Sequence, residues 1–415
     1  MKIISYEQIN EIIYEYKEYV ETDVVKDIIQ KIRQDGDQAI KEISAQFGEQ
    51  IEHIELTESD IAKSIAGVSE ETMQYLKKAI KNIRNFAEKQ LDCLKPLEYS
   101  TKGSTLGHKL VPLERVGAYV PGGNYPLPSS ALMTVIPAKV AGVKEVIVCS
   151  PKVHDVTVVA ARLAGADRIF RIGGAQAIAA MAYGTESVPP VDKIVGPGNK
   201  YVTQAKKEVY GKCGIDFLAG PSEIMIIADE SASVPYIAAD LLSQAEHDTD
   251  ASSILVTYSH KFAETVIAEV YRQLELLPTK DIARQALDNS FVIIVNSLDQ
   301  AVLIANKKAP EHLQLCFDKA EKLMGAFINY GSLFVGNYSA EVFGDYCSGT
   351  NHTLPTNGVA RYSGGLSVFD FVKIQTYQII SEEAAKQQLI SVASHLADVE
   401  GLMAHKNAAR LRRGD

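Results

Sequence analysis

The pattern that most restricts the fold begins near Val116, where short β-branched runs start to alternate with alanine-rich stretches. Glu145–Cys149, Arg168–Ile172 and Lys193–Val195 have the composition of buried strands, and the segments between them that of helices. Such a chain builds a parallel sheet, because each helix carries it back across the sheet before the next strand starts. A second series, Glu223–Ala228, Ser253–Thr257 and Phe291–Val295, repeats the style. Two α/β lobes are therefore expected, and 415 residues are too many for one ordinary core. A cleft shared by the lobes is the natural place for a site.

The flanks read differently. From Asp23 to about Glu88 the sequence is polar-rich and helical, with a break at Asp35-Gly36-Asp37, and reads as scaffold. Within residues 1–20, Ile9, Ile12, Ile13 and Tyr16 recur at helical spacing. They predict a helical arm whose apolar stripe docks on another surface, such as a second subunit. After about Val368 the chain reads as helical to its end, including Glu400–Ala409.

Composition removes several classes of function. The formal net charge is −10 without a basic stripe, and Arg410, Arg412 and Arg413 are too short a run to grip phosphates, so nucleic acid is not an expected partner. Five cysteines, odd in number and without CxxC spacing, read as reduced thiols rather than as a disulfide framework or thiolate zinc site. No stretch approaches the roughly 20 apolar residues of a membrane helix, and the N-terminus lacks a signal-peptide run. The expectation is a cytoplasmic chain with no membrane partner.

Several segments hold residues suited to chemistry. Ser233 and Pro235 start a predicted helix that runs through Gln244 and His247, two residues three apart and so on one face. An amide oxygen and an imidazole there could reach one ion, although glutamine is an uncommon zinc ligand and, for the pair taken alone, a surface or hydrogen-bonding role is the better fit. Glu311 and His312 follow Pro310 at a predicted helix start. As adjacent helical residues they would point about 100° apart and serve different atoms of one reaction, or simply line a solvated helix end. Gly344–Pro355 has too many small and turn residues for a regular element, yet it carries Asp345 and His352, as a loop at a site would. His405, with Glu400 five residues earlier, is the last candidate. Three glycine-bearing turns, Tyr119–Gly123, Gly173–Gln176 and Gly196–Asn199, are spaced to lie at the mouth of a sheet, where backbone amides bind phosphates; none is a GxGxxG fingerprint.

Tyr119–Gly123 (YVPGG), Gly196–Val202 (GPGNKYV), Ala219–Glu223 (AGPSE), Ser243–His247 (SQAEH), Pro310–Leu313 (PEHL), Ser348–His352 (SGTNH) and Ala404–Asn407 (AHKN) occur in one order over nearly the whole chain. In that order they resemble the motifs of the histidinol dehydrogenases. The resemblance implies a main α/β lobe formed by residues 21–118 and 222–367, which carries the metal and acid–base groups. It further implies an incomplete Rossmann-like NAD-binding lobe over 119–221 and a helical dimerisation segment over 368–415. One zinc ion per subunit would be held by Gln244, His247 and Asp345, with His405 supplied by the partner of a homodimer. Ser222, Gln244, His247, His312, Asp345, His352, Glu400 and His405 would contact L-histidinol. Tyr119, Gln176 and Asn199 would contact NAD. Glu311 and His312 would be the acid–base pair that converts the alcohol to L-histidine through a bound aldehyde, with two NAD accepting hydride. Cys149–His154 differs from the family's more proline-rich version. Alternatives are a related NAD-dependent dehydrogenase of another polar alcohol, a zinc hydrolase in which Glu311 activates water, although HExxH is absent, and a non-enzymatic nucleotide-binding module.

Overall fold

The structure, a computed structural model, describes residues 1–11, 22–122 and 125–414. Two parallel sheets organise it. The larger has six strands in the order Lys2–Ser5, Phe291–Ile294, Ser252–Thr257, Glu223–Ala228, His312–Cys316 and Ser332–Val335. The smaller has five, in the order Arg168–Phe170, Glu145–Cys149, Arg115–Tyr119, Lys193–Val195 and Gly214–Ile215. Both α/β lobes expected from the alternation are present.

The central strands show why their runs are apolar throughout. All of Glu223–Ala228 is buried. Ile224, Ile226 and Ala228 face a core built with Ile237, Leu241 and Ala245 of the Val234–Ala245 helix. Met225 and Ile227 face a second core with Leu313 and Leu315. In the smaller sheet Val146 and Val148 enter one core and Ile147 and Cys149 another. Alternate side chains go to opposite faces, and helices cover both faces, so neither face can be polar.

Three expectations from the sequence are corrected. Lys2–Ser5 is not helical: this short β-branched run completes the open edge beside Phe291–Ile294, and only Tyr6–Glu11 is a helical turn, of the 3-10 type. Ile12, Ile13 and Tyr16 lie outside the described residues. The break at Gly36 is a kink inside one Asp23–Gln46 helix, where Gly36 adopts φ 50°, ψ −129°. The chain beyond Val368 forms a 3-10 turn and then the strand Val372–Ile380, antiparallel to Ser104–Pro112, which also pairs with Leu97–Thr101. None of the nine residues of that strand is fully buried, so it lacks the apolar face that would have marked it as a strand. The expected helices resume at Glu382 and continue as Ile390–Val399 and Met403–Arg410. Val392, Leu396, Val399, Leu402 and Met403 on this terminal segment are exposed, as are Ile374 and Ile379 on the strand.

Candidate active site

The acid–base and ligand-type side chains gather at the amino-terminal edge of the larger sheet. Glu223–Ala228 and His312–Cys316 are neighbours there, with His312 opposite Ile224. The expected helix start at Glu311 and His312 is corrected. Ala309 closes the preceding Leu298–Lys308 helix in the left-handed conformation (φ 52°), and Pro310 has no N–H with which to start another turn. His312 therefore opens a strand. Both residues are about 5% exposed or less. The Glu223 backbone N–H donates to Glu311 Oε2 at 3.0 Å, and His312 Nδ1 lies 3.3 Å from the Glu223 carbonyl oxygen.

His312 Nε2 faces two carboxylates, 3.7 Å from Asp345 Oδ1 and 3.8 Å from Glu341 Oε1. Both acids stand on a short helix, Glu341–Tyr346, where a spacing of four residues puts them on one face. The sequence had suggested no regular element from Gly344 onward; two turns of chain suffice because Phe343 C=O accepts from the N–H groups of Cys347 and Ser348. Glu341 was missed by sequence reasoning, and its i, i+4 relation to Asp345 is the signal that marks it. The ligand-type atoms of His247, Glu341 and Asp345 all lie within 4.8 Å of one another. His247 is reached differently from the expectation: the helix stops at Ala245, and His247 follows just past its end, exposed. Gln244 remains on the last turn, fully buried, and the hydroxyl of neighbouring Ser243 donates to Glu341 Oε2 at 3.1 Å. His352 Nδ1 lies 2.9 Å from the Asp345 backbone carbonyl.

The electrostatics are those of acids crowded away from water. Burial pushes the Glu311 carboxyl up to about 7, against the opposing pull of the His312 charge. Burial disfavours a charged His312, but Glu311, Asp345 and Glu341 outweigh it and raise the imidazole to about 10. Glu341 is raised well above the ordinary carboxylate range by burial. Asp345 is buried too, yet the neighbouring His312 charge, 3.7 Å away, and the Glu341 carboxyl hold its own carboxyl below the usual value. Burial lowers His352. Against this background Gln244 Oε1 and Nε2, His312 Nε2 and Glu341 Oε1 are buried without a hydrogen-bond partner. Orphaned oxygen and nitrogen donors beside paired carboxylates are what a divalent cation requires, and costly to keep otherwise.

The other group of candidates occupies the carboxyl edge of the smaller sheet. Tyr119 ends its strand, buried, and its hydroxyl accepts from the Gly174 N–H at 3.1 Å; burial pushes the phenol up to about 12. Gln176 is buried in the first turn of Gly174–Tyr183. Asn199 caps Lys200–Val209, its Oδ1 accepting from the Tyr201 and Val202 N–H groups at 3.1 and 3.2 Å. Gly196 has φ 112°, and a Cβ there would lie 2.1 Å from the Tyr119 carbonyl oxygen, so backbone, not side chain, lines this turn. The two edges are tied together. Thr203 donates to the Ala219 carbonyl at 3.0 Å, Gly220 N–H donates to Thr356 Oγ1, and Asn351 Nδ2 donates to the Met133 carbonyl at 2.7 Å. Ser222 sits in this junction, half-buried, one residue before Glu223. Glu400 and His405 are exposed on the terminal segment, which packs chiefly on itself, and neither belongs to the convergent set around His247.

The histidinol dehydrogenase family model matches residues 15–413. Histidinol dehydrogenase of Methanosarcina barkeri is 46% identical over 399 residues, covering 94% of this chain and 91% of the relative. That of Geobacillus kaustophilus is 47% identical over 397 residues, covering 94% and 93%. The crystal structure of histidinol dehydrogenase from Elizabethkingia anophelis superposes with a TM-score of 0.94 at 36% identity, covering 99% of this chain and 98% of the other. Betaine aldehyde dehydrogenase from Staphylococcus aureus, at 12% identity and TM-score 0.52 over 90% of this chain and 85% of its own, shares the fold alone. A family match over residues 15–413, together with relatives 46% and 47% identical over 94% of the chain, places the chain in the histidinol dehydrogenase family.

Proposed function

We propose that the chain oxidises L-histidinol to L-histidine in two successive hydride transfers, through L-histidinaldehyde that stays bound, as a zinc-dependent cytoplasmic homodimer that uses two NAD. The observation that carries this reading is the juxtaposition of a buried Glu311–His312 pair with the convergent donors of His247, Glu341 and Asp345. The orphaned Gln244 amide, one residue after the Ser243 that bonds Glu341, fits an ion with oxygen and nitrogen ligands. Gln244, His247, Asp345 and the partner subunit's His405 would hold the zinc. When bound, zinc supplies a fixed anchor for the substrate's amine and imidazole nitrogens. The exposed apolar residues around Leu396 and Ile374 support a terminal segment covered by a second copy. Ser222, His352 and the partner subunit's Glu400 would complete the substrate pocket.

NAD, held beside Tyr119, Gln176 and Asn199, supplies the hydride acceptor in each half-reaction. In the first, neutral His312 takes the hydroxyl proton at Nε2 as hydride leaves the carbinol carbon, giving the aldehyde; the carboxylate charges that otherwise keep the imidazole protonated would be offset by bound zinc. In the second, Glu311 takes a proton from water as its oxygen adds to the aldehyde carbon while His312 returns its proton to the carbonyl oxygen; the neutral His312 then takes the hydroxyl proton of the hydrate as the second hydride leaves. The junction through Ala219 and Gly220 supports this arrangement, because it runs directly from the nucleotide-side turns to Glu223–Ala228, the strand beside the acid–base pair.

Incubation with histidinol and NAD tests the reading, with zinc content measured before and after chelation. Two NADH per histidinol, lost on chelation and restored by zinc, is the expected result. No NADH from histidinol would overturn it. Turnover of another polar alcohol would then favour a different substrate, and acyl hydrolysis without NAD a zinc hydrolase.

A further inference from the structure

One residue outside the acid–base pair touches both of its members. Glu223 opens its strand with its backbone N–H donating to Glu311 Oε2 at 3.0 Å and its carbonyl oxygen 3.3 Å from His312 Nδ1. A carbonyl can only accept, so Nδ1 must carry the proton. The lone pair of a neutral His312 is then on Nε2, the nitrogen that faces Asp345 and has no hydrogen-bond partner. The backbone of this one residue thus sets the tautomer of one group and the rotamer of the other.

That residue is anchored from outside the strand. The Glu223 side chain is buried. Its Oε2 pairs with the Lys308 ammonium, and its Oε1 accepts from the Asn357 backbone N–H at 3.1 Å. Lys308 ends the helix that precedes Pro310, so one ion pair ties together the two segments that must stay aligned for Glu311 and His312 to meet Glu223. An ammonium 14% exposed against a carboxylate 7% exposed is expensive to bury for stability alone, since an apolar pair could fill the space.

We propose that the Lys308–Glu223 ion pair is a positioning device, which fixes the backbone on both sides of the Glu223 Cα so that His312 presents Nε2 as its basic nitrogen and Glu311 is held in a single rotamer. This rests on the acid–base roles assigned above. Lys308 would act through Glu223 and is a positioning residue, not a catalytic one.

The test uses the full-length, zinc-loaded enzyme with Lys308→Met and Lys308→Arg. Kinetics on histidinol and on histidinaldehyde, zinc content and thermal midpoint are all measured. In Lys308→Met, kcat should fall about 10–100-fold on both substrates, with KM and zinc content close to the parent, as for lost orientation of a reacting group. Lys308→Arg should restore most of kcat by keeping the charge. A folded Lys308→Met enzyme with parental kcat, a loss confined to KM or zinc content, or no rescue by Lys308→Arg would each overturn the proposal. Should Lys308→Met fail to fold, Glu223→Gln, which retains an acceptor for Asn357 but not the ion pair, must show the same fall in kcat. If the parent oxidises neither substrate, the functional reading fails instead of this one.

Discussion

Lys206 and Asp216 form an ion pair whose side chains are 4% and 1% exposed, and it grips the turn at Gly196 by both of its backbone groups. Asp216 Oδ2 accepts the Gly196 N–H at 2.7 Å, and Lys206 Nζ donates to the Gly196 carbonyl at 3.1 Å. Asp216 Oδ1 also accepts the Phe217 N–H at 2.7 Å. Lys206→Met would leave a buried carboxylate with two amide donors and no countercharge, a change that costs about 3–5 kcal/mol. Adding Asp216→Asn removes the stranded charge and keeps an acceptor for the Gly196 N–H but gives up the one for the Phe217 N–H, at about 1–3 kcal/mol, while the Gly196 carbonyl is unpaired in both variants. The double variant should therefore be more stable than the single one. Urea unfolding followed by far-UV circular dichroism gives the midpoints, compared at equal slope. Because Gly196 borders the Tyr119 carbonyl, the same single variant should raise KM for NAD and leave KM for histidinol unchanged. A loss below about 1 kcal/mol in the single variant, or a double variant no more stable than the single, would refute the assignment of the turn's rigidity to this pair.

Three further outcomes follow from the site. The Glu311 carboxyl is raised from 4.5 to about 7, so in the metal-free protein its stabilising contribution is complete below pH 4.5 and lost as pH rises to about 7. Glu311→Gln should then gain on the parent across that window, by on the order of 3 kcal/mol at its upper end, and a pH-independent difference in urea midpoint would contradict the cause given. Gly196→Ala places a Cβ 2.1 Å from the Tyr119 carbonyl at φ 112°; backbone strain alone costs about 1–3 kcal/mol, and NAD titration by fluorescence should show weakened binding. Zinc at 100 times its Kd should stabilise the parent by about 2.7 kcal/mol, and Gln244→Ala should lose most of that gain at the same zinc concentration.

The strands of both large sheets are legible because each must satisfy a local rule. Glu145–Cys149 and Glu223–Ala228 are buried on both faces, and burial on both faces leaves an uninterrupted apolar run. Where that rule relaxes, legibility goes with it. Val372–Ile380 pairs along its whole length with Ser104–Pro112, but its side chains are exposed or half-buried, and backbone pairing leaves no trace in residue type. The Gln244–His247 segment fails for another reason: a helix that stops at Ala245 rather than continuing to His247 is a question of a few residues at one end, which periodicity does not resolve.

The site separates what is local from what converges. Glu311 and His312 are adjacent and invite attention as a pair, yet their arrangement depends on Glu223, 88 and 89 positions earlier in the chain. In sequence Glu223 is only the polar residue that begins an apolar strand. Its importance arises from register: Ile224 lies opposite His312, so the peptide just before Ile224 is the one that meets the residues entering the neighbouring strand. Glu341 is similar, since Ser243 lies 98 positions away and nothing in either local pattern links them. Parallel sheets make this general. Their adjacent strands come from segments separated by whole helices, so residues that share an edge are distant in sequence, while the chemistry needs them within a few ångströms. Motif order along the chain can signal such an edge, but the orientation of each group is set by a neighbouring backbone that sequence periodicity does not identify.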